Sequence, residues 1–214
     1  MSNIDSNDLG QQHVPQQKVG SEINASASEH LSTHEEAMLF YNIVKQRLLN
    51  VNQWYEFAKL PLSSFKLFDH SCRVADREAR EGDFIRIDIP GPGTKTGQGY
   101  DWVVIEAILE ENEQDTSVVS MRVRPSPHPL SGDPHTAHFL KDTASSTFQI
   151  KRSKDMVIAE QHGRNEIPNR DTAHTLDNLR NTVVGWSSKL GFSYPQWKGL
   201  VKGLVKRSYP PFST

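Results

Sequence analysis

Between residues 33 and 50 apolar side chains recur every three or four positions, and between residues 84 and 161 they recur mostly every second one. The first spacing predicts a helix with one buried stripe, the second a set of strands with one buried face. In the helix the stripe is Ala37, Phe40, Tyr41, Val44 and Leu48, while Lys45, Gln46 and Arg47 face largely elsewhere. Ser32 and Thr33 are each followed three residues later by a glutamate, Glu35 and Glu36, which is the capping-box start signal. Trp54, Tyr55 and Phe57 follow as a last turn or a short second helix, and Pro61 then forces an extended path.

A short strand is expected over 65–69, and the strongest β signal lies between Gly82 and Arg124. There the runs GDFIRIDI and YDWVVIEAILEEN flank the glycine-rich loop PGPGTKTGQG, and SVVSMRVRP comes third, so a β-meander forms the centre of the chain. In the first run Ile85, Ile87 and Ile89 share a face. In the second, Val103, Ile105, Ala107 and Leu109 share one face and Trp102, Val104 and Ile108 the other, which predicts a central strand covered on both sides. The third turns Val119, Met121 and Val123 inward and Ser120, Arg122 and Arg124 outward. A loop rich in Pro and His runs from Pro125 to about Lys141, longer than most connections in a compact domain, as functional or mobile loops are. A hairpin follows, with Phe148 and Ile150 in its first arm, a turn near 153–155 and a return over 156–161. Beyond a polar linker, Leu176, Leu179, Val183, Trp186 and Leu190 predict a helix over about 175–190, stopped by Gly191. Ser193 opens a second short helix with the stripe Trp197, Leu200, Val201 and Leu204. The fold class that satisfies these patterns is α+β: a curved antiparallel sheet of five to seven strands packed by an N-terminal helix and a C-terminal helical pair.

Composition changes this picture at one end. Residues 1–31 are rich in Ser, Asn and Gln and poor in apolar side chains, so they are expected to be a disordered tail, with 32–214 as a single α+β domain. Mean hydropathy is -0.60, no apolar run approaches the roughly 20 residues that span a bilayer, and the start MSNIDSNDLG lacks the features of a signal peptide. No membrane association and a cytoplasmic location are therefore expected. The single cysteine, Cys72, lies in a polar stretch and reads as a surface thiol. A net charge of -2 argues against nucleic acid as a partner.

The candidate chemistry is scattered. Lys95 and Thr96 sit in the glycine-rich loop, but Thr94 precedes the lysine and the loop leads into a strand, unlike a phosphate-binding loop. His135 and His138 are three apart and are the metal-ligand candidates. His162 and Glu166, at a strand end, are the candidates for proton transfer, with Arg164 and Glu166 on one face if the chain is extended there. Arg122 and Arg124, with Lys95, are the candidate partner-binding cations on an outward sheet face. No cofactor motif is present, and none is expected.

The phrases GDFIRIDIPGPG, GYDWVVIEAI, MRVRPSPHP, HGRNEIPN and GFSYPQWKGLVKGL resemble an uncharacterised family of bacterial proteins, which implies a bacterial cytosolic origin and no particular chemistry. NVNQWYEF followed by FKLFD is similar to the early pattern of helix-grip proteins of the START and polyketide-cyclase type, although no first strand is legible before residue 33. Three functions are weighed. The first is a non-enzymatic domain that docks a protein partner through the sheet face and the loops at 90–100 and 125–141. The second, implied by the helix-grip resemblance, is a carrier of a small apolar ligand lined by Trp54, Phe57, Trp102 and Trp186. The third is a hydrolase using His162 and Glu166, or a metal at His135 and His138.

Overall fold

The computed structural model describes residues 9–58, 64–88, 96–169 and 195–207. Seven strands form one antiparallel sheet: β1 (Ser21–His30), β2 (Ser64–Phe68), β3 (Phe84–Asp88), β4 (Asp101–Asn112), β5 (Thr116–Pro125), β6 (Ser145–Ser153) and β7 (Met156–Glu166). Their spatial order is β1-β7-β6-β5-β4-β3-β2, so β2 to β7 make a continuous meander and β1 closes one edge. Two helices, α1 (His34–Leu49) and α2 (Trp54–Ala58), connect β1 to β2. Residues 195–204 form a third helix, α3. The expected helix over 175–190 lies outside the described residues. Among the described residues no helix is long and apolar enough to cross a membrane.

Residues 21–30, assigned by composition to a disordered tail, are instead strand β1, paired with β7 from Ser21 opposite Glu166 to His30 opposite Met156. Composition counts only side-chain burial, whereas an edge strand is held by its backbone hydrogen bonds and needs few apolar contacts. Ala25 is the one buried residue of β1. Residues 9–19 are also placed, as a strap across the outer face of the sheet. Gly10 O accepts from Gln149 Nε2 at 2.7 Å, and His13 bridges Ser120 Oγ and Glu111 Oε1, each at 2.7 Å. Leu9 and Val14 are buried beneath it.

The inner face of the sheet carries the core, packed against all three helices. Thr33 caps α1 by accepting from Glu36 N, and Glu36 in turn accepts from Ser32 N, close to the reciprocal box that the sequence predicts. The stripe Ala37, Phe40, Tyr41, Val44 and Leu48 is buried as expected. Arg47 is buried with it, contrary to the expectation that it faces elsewhere. Its guanidinium lies over the Phe40 and Phe57 rings and donates to the carbonyls of Leu204 at 2.7 Å and Lys206 at 2.9 Å, which ties α1 to the C-terminal end of α3.

Two irregularities reset which residues face the core. In β4 the register steps from Ile105 opposite Val123 to Ala107 opposite Arg122, leaving Glu106 as the extra residue of a bulge. The face expected to run Val103, Ile105, Ala107, Leu109 therefore breaks after Ile105. Ile108 packs on the core and Glu110 pairs with Lys45 of α1, while Leu109 is exposed. In β7 Asn165 adopts a left-handed conformation, φ 56°, where the register with β1 also shifts. Asparagine is among the few non-glycine residues that tolerate this region. Its side-chain oxygen accepts from the backbone N–H groups of Lys18 at 2.7 Å and Val19 at 3.1 Å, so the strap holds the bulge.

Candidate functional site

The sheet and α3 do not close completely. A cavity of ≈ 50 Å3 lies between them, bounded by Ile85 and Ile87 of β3, Val103 of β4, Val123 of β5 and Phe148 of β6 on the sheet side. Trp54 of α2, Phe65 of β2 and Trp197 of α3 form its aromatic wall. Trp54 packs on Phe65 and Phe148 with ring centroids 5.3 and 4.9 Å apart, and its Nε1 donates to Leu48 O at 2.9 Å, so one side of the site is rigid. Trp197 packs edge-on against Phe148 at 5.2 Å. The volume admits a few waters or a short alkyl group, and is well below the roughly 150 Å3 that holds benzene.

The remaining rim comes from the long loop after β5. Phe139, Leu140 and Ala144 form a small apolar cluster there. The loop is pinned to the segment after β7, because Asn169 N donates to Phe139 O at 2.8 Å and Lys141 N to Ile167 O at 2.9 Å. Apolar residues in a loop are the signal that sequence reading passed over, since Phe139 and Leu140 fit neither strand nor helix periodicity.

One carboxyl enters this apolar enclosure. Glu166 is 5% exposed and lines the cavity. Burial pushes its carboxyl up to about 7, with Arg164 pulling weakly the other way. Among the described residues no side chain hydrogen-bonds that carboxyl. A Cβ on Gly163 would stand 2.2 Å from Glu166 Oε1, so the missing side chain at 163 gives the carboxyl its room. Two polar groups of the inner face lie close by: Ser146, which lines the cavity, and Gln161, whose Nε2 reaches Ser146 Oγ at 3.5 Å. Gln161 Oε1 is buried and has no hydrogen-bond partner among the described residues.

The candidates from sequence are dispersed by this geometry. His162 and Glu166 do not converge, because the left-handed Asn165 turns Glu166 inward while His162 and Arg164 remain outward. His162 bridges Asn24 Oδ1 at 2.9 Å and Glu160 Oε2 at 3.0 Å, and Arg164 donates to the same Asn24 oxygen at 2.7 Å. Burial pushes the Glu160 carboxyl up, but its hydrogen bonds with His162 and Lys151 outweigh this and hold it at about 2. These groups form a network of paired charges on the outer face. Of the four aromatic residues expected to line a ligand site, Trp54 does so. Phe57 is buried in the core under Arg47, and Trp102 lies on the outer face between Phe68 and His128. Trp186 lies outside the described residues.

Arg122 and Arg124 are both committed to Glu106, the extra residue of the β4 bulge, so they do not form a free basic patch. Lys95 lies outside the described residues. His135 is exposed and paired with Asp133, whereas His138 is buried, stacks on Phe139 and accepts the Leu140 N–H on Nδ1. Among the described residues no three His, Cys, Asp or Glu side chains gather as metal ligands do. Burial and Asp69 push the Cys72 thiol up, away from nucleophilic character.

The element order β1-α1-α2-β2 to β7-α3, with α3 over the inner face of a curved sheet, defines an α+β protein built on one seven-stranded antiparallel sheet, and β1 supplies the first strand that the sequence did not reveal. No family model matches the chain, and no curated protein is significantly similar to it. Among solved structures, a hypothetical protein from Helicobacter pylori shares 9% identity at a TM-score of 0.49, over 87% of each chain. A major latex-like protein from Panax ginseng shares 10% identity at a TM-score of 0.34, over 82% of this chain and 99% of its own. The di-domain ARO/CYC protein BexL shares 14% identity at a TM-score of 0.34, over 88% of this chain and 51% of its own. At these values the likeness carries no argument about chemistry, and the topology rests on the strand register of this chain.

Proposed function

We propose that this protein binds a small, largely apolar molecule in the cavity between the sheet and α3, as a carrier or sensor without catalytic chemistry. The observation that carries this reading is an apolar enclosure with one buried, unpaired carboxyl on its wall. A cavity that served packing alone gains nothing from a carboxylic acid, which costs free energy to bury without a partner. A few placed polar groups in an apolar lining are what binding sites use to orient a ligand. The protein-docking reading loses its support with Arg122 and Arg124 engaged by Glu106. The hydrolase reading loses its support with His162 and Glu166 on opposite faces of the sheet.

The cavity takes about two to three carbons of an alkyl group without rearrangement, so a butyl chain leaves its polar end at the rim. Titration of the full chain with alcohols and amines of that length should give saturable shifts of the Trp54 and Trp197 indole N–H resonances, and Val123→Trp, which fills the cavity, should abolish them. Absence of any saturable shift up to the solubility limit of every probe would end this reading.

A further inference from the structure

Resting on the reading above, we infer that the ligand is a protonated amine or another hydrogen-bond donor with a short apolar group, and not a carboxylic acid or other anion. The inference comes from the one-sided chemistry of the cavity wall. Among the described lining residues, Glu166 and His138 are the ionisable ones, and no Lys or Arg is among them. His138 Nδ1 accepts the Leu140 N–H at 3.0 Å, a role that a doubly protonated ring could not fill. The nearest guanidinium along the chain, that of Arg164, belongs to the outer face, where it donates to Asn24 Oδ1 and to Gly163 O. An anion entering the cavity therefore meets no cation among the described lining residues and loses its hydration.

Acceptors, by contrast, are in supply. Among the described residues no side chain hydrogen-bonds the Glu166 carboxyl, and Ser145 Oγ, also on the lining, is buried without a partner. An ammonium group beside Glu166 gives the carboxylate a counter-charge inside the cavity, where Arg164 acts only from the outer face, and its further N–H groups suit acceptors such as Ser145 Oγ. The alkyl part then lies against Ile85, Val103 and Trp197. No bond is made or broken. The single proton event is ionisation of Glu166 as the cation arrives, so amine binding strengthens as pH rises from 5 to 8. Among the described residues, the ionisable and charged groups around Glu166 are His138 on the cavity wall and Arg164 on the outer face.

The test uses three probes of equal size, butylamine, 1-butanol and butyrate, titrated at pH 8 against the full chain and against Glu166→Gln, with the Trp54 and Trp197 indole resonances as readout. Butylamine is expected to bind the parent at least tenfold more tightly than 1-butanol, with butyrate weakest. In Glu166→Gln, its fold checked by circular dichroism, the amine should lose its advantage and fall to the level of the alcohol. If 1-butanol or butyrate binds the parent as tightly as butylamine, or if Glu166→Gln keeps the amine preference, the inference is overturned and the apolar site stands. If none of the three binds, site and inference fall together.

Discussion

At the scale of single residues, β7 carries two carboxyls whose environments push them in opposite directions. Glu166, buried at the cavity, titrates at about 7, while Glu160, hydrogen-bonded to His162 and Lys151, is held at about 2. Both start from 4.5 in an unperturbed carboxyl. For Glu166 the folded protein keeps its proton longer than the unfolded chain, so stability falls as pH rises from about 4.5 to about 7 and then levels. The shift corresponds to about 3 kcal/mol. For Glu160 the sign is reversed: its contribution is complete above about 4.5 and is lost as pH falls towards 2. Glu166→Gln should therefore be more stable than the parent at pH 8 and should lose the decline between pH 5 and 7. Urea unfolding at pH 5 and pH 8 measures this, and a decline of equal size in both proteins would show that Glu166 is not the group responsible. Glu166 itself was legible as a candidate, but its position was not. The alternation of an extended strand puts it with Arg164, and the left-handed Asn165 reverses that phase.

At the scale of elements, α3 is held at one end and borders the cavity at the other. Arg47 binds its last carbonyls, and Gly203 lies against α2 so closely that a Cβ there would stand 2.0 Å from Phe57 O. The close approach, and not backbone conformation, is what requires glycine. Gly203→Ala is expected to push α3 from α2 and to lower stability by about 1–3 kcal/mol, as overpacking does. Thermal unfolding measures the loss, and an unchanged midpoint would mean that the two helices do not meet this closely in solution. The stripe of α3, Leu200, Val201 and Leu204, was legible from its spacing and is buried as predicted. The burial of Arg47 was not legible, because a single arginine beside an apolar stripe is ordinarily solvated. Only the arrival of the α3 carbonyls, 157 positions later in the chain, gives it partners.

At the scale of the whole molecule, the strap at residues 9–19 and strand β1 join the start of the chain to the outer face and to the edge beside β7. The strap covers Gln149 and anchors the Asn165 bulge, which in turn sets the direction of Glu166. Deletion of residues 1–20 should leave the sheet with all seven strands but lower the urea midpoint, since Leu9 and Val14 lose their burial and the Asn165 side chain loses Lys18 and Val19. A midpoint equal to that of the full chain would mean that the strap contributes nothing to the fold. What the sequence determined by itself was the part written in local periodicity: the capped α1, the meander from β3 to β5, the hairpin of β6 and β7 and the buried stripe of α3. Those patterns repeat over many positions, and solvent exposure penalises every alternative reading. Tertiary structure alone decided the rest: that a polar segment becomes β1, that bulges at Glu106 and Asn165 exchange the faces of their strands, and that one glutamate ends in an apolar cavity. Each of these turns on a backbone hydrogen bond or a single inserted residue, and such features leave no periodic trace in the sequence.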